Sequence, residues 1–178
     1  MATKATRRKK PAKKPAPRRK SSSSNNDLQQ ISRAIFRPEV GGVLRAQLPE
    51  ASAAEIEALV RAANGSPGKA LGFAGLDLAT LDGEMAAIAA RGDADNAIRS
   101  RLARTLGAKA AQPRYEAFLA RVPAFIAREA RGRHGRALAD ALDAYDSASQ
   151  LGPLALAQSL DAQATVFELG GILARLAR

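Results

Sequence analysis

The stretch from Asn64 to Gly75, NGSPGKALGFAG, has the residue types of a phosphate-binding loop, because it combines four glycines with Lys69. In such a loop, glycines let backbone amides approach the phosphate oxygens, and a lysine neutralises their charge. The pattern requires a Gly-Lys-Ser/Thr ending after a buried strand. Here Ala70 follows the lysine, and the preceding residues have helical spacing. The spacing therefore favours a turn between two helices and leaves open only a weak anion site at the second helix start.

Each residue of this turn has a role in the two-helix interpretation. Asn64-Gly65 supplies a left-handed stop for the first helix. Ser66 is a good N-cap, and Pro67 falls at the first helical position, where no amide donor is lost. Gly75 can end the short second helix. Upstream, Ser52 and Glu55 have the spacing of a capping box, in which each side chain satisfies an exposed amide of the other.

Helical spacing recurs along the rest of the chain and predicts an all-α bundle. Alanine is abundant and aromatic residues make up only 4%, which favours closely packed helices over a sheet. Asp93 and Asp161 are predicted caps, Pro123 is expected to kink or split its helix, and Gly41-Gly42 precede a short segment closed by Pro49. The predicted inner faces are Ile56, Leu59, Val60 and Ala63; Ala70, Leu71, Phe73 and Ala74; Ile98, Leu102, Leu106 and Ala110; Tyr115, Phe118, Leu119, Val122, Phe125 and Ile126; Leu138, Leu142 and Tyr145; and Val166, Leu169, Leu173 and Leu176.

The residue types argue against catalysis. The chain has no cysteine, which excludes disulfides, thiolate metal sites and cysteine nucleophiles. The single histidine, His134, lies in RGRHGR and is interpreted as a solvated turn residue. No catalytic residue, metal ligand or cofactor is predicted, and no apolar run reaches the length of a membrane span.

The first twenty residues hold most of the positive charge. Ten of the 28 lysines and arginines lie there without an acid, while the remaining 18 basic and 17 acidic residues nearly cancel. Interleaved prolines and the lack of apolar periodicity predict a disordered tail, residues 1–26 with the Ser/Asn linker. Such a tail can bind the phosphates of nucleic acid. Binding to an anionic membrane surface and a purely solubilising role stay open as alternatives. Its cations are Lys4, Arg7, Arg8, Lys9, Lys10, Lys13, Lys14, Arg18, Arg19 and Lys20.

Three segments in order resemble one known family. They are EIEALVRAANGSPGKALGFAGLD, NAIRSRLARTLGAKAAQPRYEAFLARVPAFIAREAR and LDAQATVFELGGILARLA. They resemble the C-terminal half of the delta-prime subunits of the bacterial DNA polymerase III clamp loader, from about Phe36 to Arg178. The most specific piece is Gly65, Ser66, Pro67, Gly68, Lys69, Ala70 and Leu71.

The resemblance implies a division of the chain and a set of contacts. It implies AAA+ lid-like helices over 27–92 and a collar-like, oligomerising bundle over 93–178. Gly68 stands where ATP-hydrolysing relatives have a sensor arginine, which agrees with a subunit that does not hydrolyse ATP. The family's N-terminal nucleotide-binding-type domain is absent from this sequence. Small residues and the last apolar seam would then meet neighbouring subunits, through Leu169, Gly170, Gly171, Leu173 and Leu176.

Two functions follow as expectations. The first is a non-catalytic subunit or fragment of the clamp loader in the bacterial cytoplasm, working in DNA replication with other clamp-loader subunits as partners. The second is a nucleic-acid binder driven by the tail, with the helical body as an anchor. A hinge is also expected near Leu76 to Asp82, with two helical clusters that share few apolar contacts on either side.

Overall fold

The structure, a computed structural model, describes residues 39–63 and 65–177, and this part of the chain is all-α without a strand. The predicted tail and linker over 1–26 lie outside these residues. The helices are α1 (39–47), α2 (Ala53–Ala63), α3 (Pro67–Gly72), α4 (Leu78–Arg91), α5 (Ala97–Leu106), α6 (Gln112–Ala130), α7 (Gly135–Ala157) and α8 (Ala162–Ala174), with 3-10 turns at Lys109–Ala111 and Arg175–Ala177.

The turn between α2 and α3 confirms the local prediction. Gly65 has a φ of 89°, a left-handed conformation that glycine adopts without strain. The Ser66 hydroxyl accepts a hydrogen bond of 3.4 Å from the amide of Lys69, and Pro67 is the first residue of α3. α3 ends at Gly72 with Phe73 as its C-cap, so Gly75, with a φ of 78°, lies in the following turn and does not end the helix as predicted. Gly65 and Pro67 therefore mark the end of α2 and the start of α3.

The capping box at the start of α2 is only half correct. The Ser52 hydroxyl accepts a hydrogen bond of 3.1 Å from the amide of Glu55, as predicted. The Glu55 carboxylate, however, accepts from the amides of Leu78 and Ala79 at 3.2 and 2.8 Å. It therefore caps α4 and ties two helices together, which local spacing could not indicate.

Two helices continue through residues that were expected to interrupt them. Gly41 and Gly42 lie inside α1, and a Cβ added at Gly41 would lie 3.7 Å from a Val60 methyl group, so α1 approaches α2 closely there. α6 runs without a break through Pro123, so the expected split is wrong. Buried Val122 and Phe125 flank the proline, and their packing offsets the one hydrogen bond that it removes.

One continuous apolar core runs through the described helices, from Val40 in α1 to Leu176 after α8. The expectation of two clusters with few shared apolar contacts is therefore wrong. α4 explains the continuity, because Leu81, Met85 and Ile88 are buried along its length while it packs on α2 and on α8. Whether the two stretches correspond to lid-like and collar-like regions stays a prediction.

The inner face of α7 differs from the predicted one. Its buried residues are Ala141, Ala144, Ala148, Gly152 and Ala155, whereas Leu142 and Tyr145 are exposed. These small residues let α7 lie close to α6: a Cβ added at Gly152 would be 3.5 Å from the Leu119 carbonyl oxygen. From the sequence, the larger side chains were predicted to be buried. In the structure the smaller ones are buried, because they allow the two helices to pack closely.

The inner face of α5 is shorter than predicted, because the helix ends at Leu106. Leu102 and Leu106 are buried and Ile98 is half-buried, as expected. Ala110, in the following 3-10 turn, is exposed and contributes nothing to the core.

Candidate interaction surfaces

The seven-residue motif Gly65 to Leu71 lies on the surface, at the α2–α3 turn. Ala70 is buried, whereas Gly68 and Lys69 are exposed, so the motif has one anchor and an open outer side. α3 has only six residues. The weak anion site at its start stays a prediction. The absence of a side chain at Gly68 leaves that outer side smooth, since nothing lies within 4 Å of an added Cβ.

A small pocket opens beside this turn. Its volume is about 220 Å³, and its apolar lining includes Leu48, Pro49, Leu59 and Ala74. The one carboxylate in the lining with a defined partner, that of Glu55, is bound to the α4 amides. The pocket can therefore take an apolar group.

The predicted oligomer seam in α8 faces inward. Leu169 and Leu173 are fully buried, and Leu176 is 2% exposed, all within the core of the same chain. These side chains have no surface left for a partner, so the prediction that they form an interface is wrong. Gly170 is buried too, and a Cβ there would lie 2.5 Å from the Cγ of Arg99. The glycine pair makes room for an arginine of α5 rather than for a neighbouring subunit.

Arg99 is held in this notch by Asp93, the predicted cap of α5. The Asp93 carboxylate accepts hydrogen bonds from the amides of Ile98 and Arg99 at 3.0 and 2.9 Å, and from the Arg99 guanidinium at 3.3 Å. Arg99 also bonds the side chain of Asn96 and lies 5.0 Å above the ring of Phe167. The group locks the α4–α5 loop against α8.

The pKa of Asp93 reflects this setting. Burial raises the pKa, but the amide hydrogen bonds from Arg99 and Ile98 and the charge of Arg99 outweigh burial. The pKa therefore lies below the ordinary value of 3.8, and Asp93 is a structural anion rather than an acid–base catalyst.

A second ion-pair group ties three helices. The Asp82 carboxylate, in α4, accepts hydrogen bonds from Arg61 of α2 at 3.0 Å and from the Nε of Arg121 of α6 at 3.1 Å. Asp82 and Arg121 are 12% and 11% exposed. The group lies where a hinge was expected and instead binds α2 to α6 through α4.

An exposed apolar row lies on α7, and sequence reasoning missed it as a surface. Leu142, Tyr145 and Leu156 are 51%, 38% and 47% exposed, and they are separated by three and eleven positions. These spacings are close to one and three helical turns, so the three side chains share one side of α7. Asp146, one helical turn after Leu142, is exposed beside the row. The small residues at 141, 144 and 148 were the signal that could have assigned the adjacent side of α7 to the core.

The remaining sequence predictions concern metal ligands, His134, the cations of the tail and membrane spans. Within residues 39–63 and 65–177, no group of three histidines or carboxylates is placed to hold a metal ion. His134 is exposed just before α7 and its side chain caps nothing. The ten cations of the tail lie outside the described residues. Nor is any described helix long and apolar enough to span a membrane.

The described part of the chain is thus an all-α bundle with one shared core. Comparison with models of protein families, with curated proteins and with solved structures gave no match. The resemblance to clamp-loader subunits rests on the residues of the three segments alone, and it stays a prediction.

Proposed function

We propose that this chain is a non-catalytic subunit or fragment of the bacterial DNA polymerase III clamp loader, acting in the cytoplasm during DNA replication. Its role is to bind other clamp-loader subunits through helices. The resemblance supplies the partner class, and the all-α architecture of the described residues supports it.

The exposed row on α7 is the observation that carries the proposal. Leu142, Tyr145 and Leu156 leave apolar area in water along one side of a 23-residue helix. Burial of such area yields about 25 cal/mol per Å², and an apolar stripe at helical spacing suits a partner helix laid along it. Asp146 beside the row favours a partner helix with a basic residue at that edge. The α7 row replaces the buried α8 seam as the contact.

Co-elution tests this proposal. The full chain, mixed at micromolar concentration with the other clamp-loader subunits, is expected to co-elute with them in size-exclusion chromatography. Leu142→Asp with Leu156→Asp places two charges in the row and should abolish co-elution. Leu154→Asp is the matched control, because Leu154 is 44% exposed on another side of α7.

The substitutions must leave the fold intact for the comparison to be valid. Circular dichroism should show unchanged helicity in all three proteins. If the unmodified chain fails to co-elute while it is folded, the proposal is wrong. If Leu154→Asp weakens co-elution as much as the double substitution, the row is not the contact.

The alternative is a nucleic-acid binder driven by the tail. The observation behind it is that residues 1–20 hold ten cations while the rest of the chain is nearly neutral. If about six of them bind phosphates of duplex DNA, the log–log salt slope should be roughly −5. Replacing all ten by glutamine should remove most of that affinity, and undiminished binding would refute this alternative.

A further inference from the structure

The turn between α6 and α7 holds a dense group of arginines. Residues 128–136, the α6–α7 turn, read REARGRHGR and contain four arginines and one acid, Glu129. Arg131 and Arg136 are exposed, and the Arg128 side chain is 44% exposed. No lysine takes part. The arginines of the turn are Arg128, Arg131, Arg133 and Arg136.

The turn is one of two basic stretches among the described residues. The other, residues 99–114, has five cations and no acid, but three of the five, Arg99, Arg101 and Arg114, are held in ion pairs with carboxylates of other segments. The described residues carry 15 basic and 16 acidic side chains, a net charge of −1. The turn alone carries +3, so the remainder of the described body carries −4. This end of α6 and α7 is therefore more positive than the described residues as a whole, and it attracts anions.

Three arginines elsewhere have more buried ion-pair partners than any arginine of the turn. Arg61, Arg99 and Arg121 bind half-buried or buried carboxylates between helices. The only carboxylate that Arg128 meets is that of its neighbour Glu129, at 3.5 Å, and its guanidinium lies 4.8 Å from the centre of the Phe125 ring. The 90% exposed Arg136 meets Asp140 at 3.1 Å. Exposed pairs of this kind contribute little.

Two arginines of the turn remain without such a partner. Among the described residues, no carboxylate lies within ion-pair distance of Arg131 or Arg133. Arg131 is exposed and Arg133 is half-buried, so an external anion can pair with Arg131 directly and with the exposed part of Arg133.

The backbone of the turn is also accessible. A Cβ added at Gly132 or Gly135 would have nothing within 4 Å, so neither glycine is required by close packing. Gly135 has a φ of 56°, which a residue with a side chain would adopt only with strain. The side chain of His134 does not cap α7, so the positive amino end of this helix adds to the field of the arginines.

We propose that the α6–α7 turn binds the phosphate backbone of nucleic acid, with Arg131 and Arg133 as the principal contacts. A guanidinium group can donate two parallel hydrogen bonds to one phosphate, which an ammonium group cannot. The turn has no large apolar side chain that could enter a bilayer, which favours nucleic acid over a membrane surface. It reads no bases, so binding is independent of sequence and sensitive to salt. This site goes beyond the proposed subunit role, and it is distinct from the tail.

The test separates the turn from the tail. The full chain with all ten tail cations replaced by glutamine is titrated with a fluorescent 20-base-pair DNA duplex over a series of salt concentrations. Arg131→Gln with Arg133→Gln should lower the log–log salt slope by about 2, because two phosphate contacts are lost at about 0.9 each. Arg104→Gln with Arg175→Gln is the matched control, since both are exposed and far from the turn in sequence. This control should keep the slope.

Three results would overturn the proposal. Equal losses in both double variants would show general charge attraction, and no loss in the turn variant would show that the turn is not a contact. Tighter binding to phosphatidylserine vesicles than to the duplex, lost in the turn variant, would assign the site to a membrane. Co-elution with clamp-loader subunits should survive the turn substitutions, so the two proposals fail independently.

Discussion

The carboxylate of Glu55 in α2 accepts a hydrogen bond of 2.8 Å from the amide of Ala79, 24 residues further along the chain. The same carboxylate accepts from the amide of Leu78. One side chain thus satisfies two of the amides that α4 leaves unpaired at its start, and it does so from another helix.

Glu55→Ala should therefore lower the free energy of unfolding by about 1–2 kcal/mol, the usual cost of losing a helix cap. Urea denaturation followed by circular dichroism measures the change. Glu57→Ala is the control, because the Glu57 side chain is 75% exposed and pairs only with Arg61. The control should shift stability by less than about 0.5 kcal/mol. Equal effects of the two substitutions would show that the link to α4 contributes nothing.

Asp93 predicts an acid-sensitive stability. Its pKa in the folded chain is below 3.8, so the carboxylate stabilises the fold fully above the unfolded value. This contribution is lost as the pH falls through the folded pKa. Asp93→Asn should lower the free energy of unfolding at pH 7 and flatten its decline below about pH 4. Denaturation at several pH values measures both effects, and an unchanged acid slope would contradict the assignment.

Two glycine-to-alanine substitutions should act with opposite signs. Gly170→Ala places a Cβ 2.5 Å from the Arg99 Cγ, and overpacking of this kind costs about 1–3 kcal/mol. Gly83→Ala, in α4, meets nothing within 4 Å and should stabilise by up to about 1 kcal/mol through helix propensity. Thermal melts compare them. A neutral Gly170→Ala would show that Arg99 can leave the notch freely.

Asp82→Ala should weaken the tie between α2, α4 and α6. It removes the shared acceptor of Arg61 and Arg121, and Arg121 is mostly buried, so the expected loss is about 1–3 kcal/mol. Asp140→Ala is the matched control, since it breaks one exposed pair with Arg136. Equal losses in chemical denaturation would mean that the buried group contributes no more than a surface pair.

A single core predicts cooperative unfolding. Tyr115 is buried in α6 and the body has no separate cluster among the described helices, so fluorescence and circular dichroism should give one coincident urea transition. Two separated transitions would restore the division into independent units.

Features that depend on a few neighbouring residues were predictable from the sequence, whereas contacts between helices were not. The Gly65–Ser66–Pro67 turn was correct because stop, cap and first helical residue are set within a few positions. The Glu55 link depends on where α4 lies in space, which spacing does not encode. α7 was misread because alanines carry little hydrophobicity and yet decide which side approaches α6.

The same reasoning explains the error at α8. Its apolar seam was correctly identified, but an apolar stripe has the same pattern whether it meets its own chain or another. Gly170 was correctly linked to close packing, and only the structure shows that its neighbour is Arg99.

The alanine face of α7 also has a calorimetric consequence. Heat capacity of unfolding grows with the apolar area that becomes hydrated, and alanine exposes far less area than leucine. The heat-capacity change of unfolding per residue should therefore lie at or below the lower end of the usual range of about 12–15 cal/mol/K. A small increment flattens the curve of stability against temperature, so cooling should weaken this fold less than it weakens proteins with bulky cores.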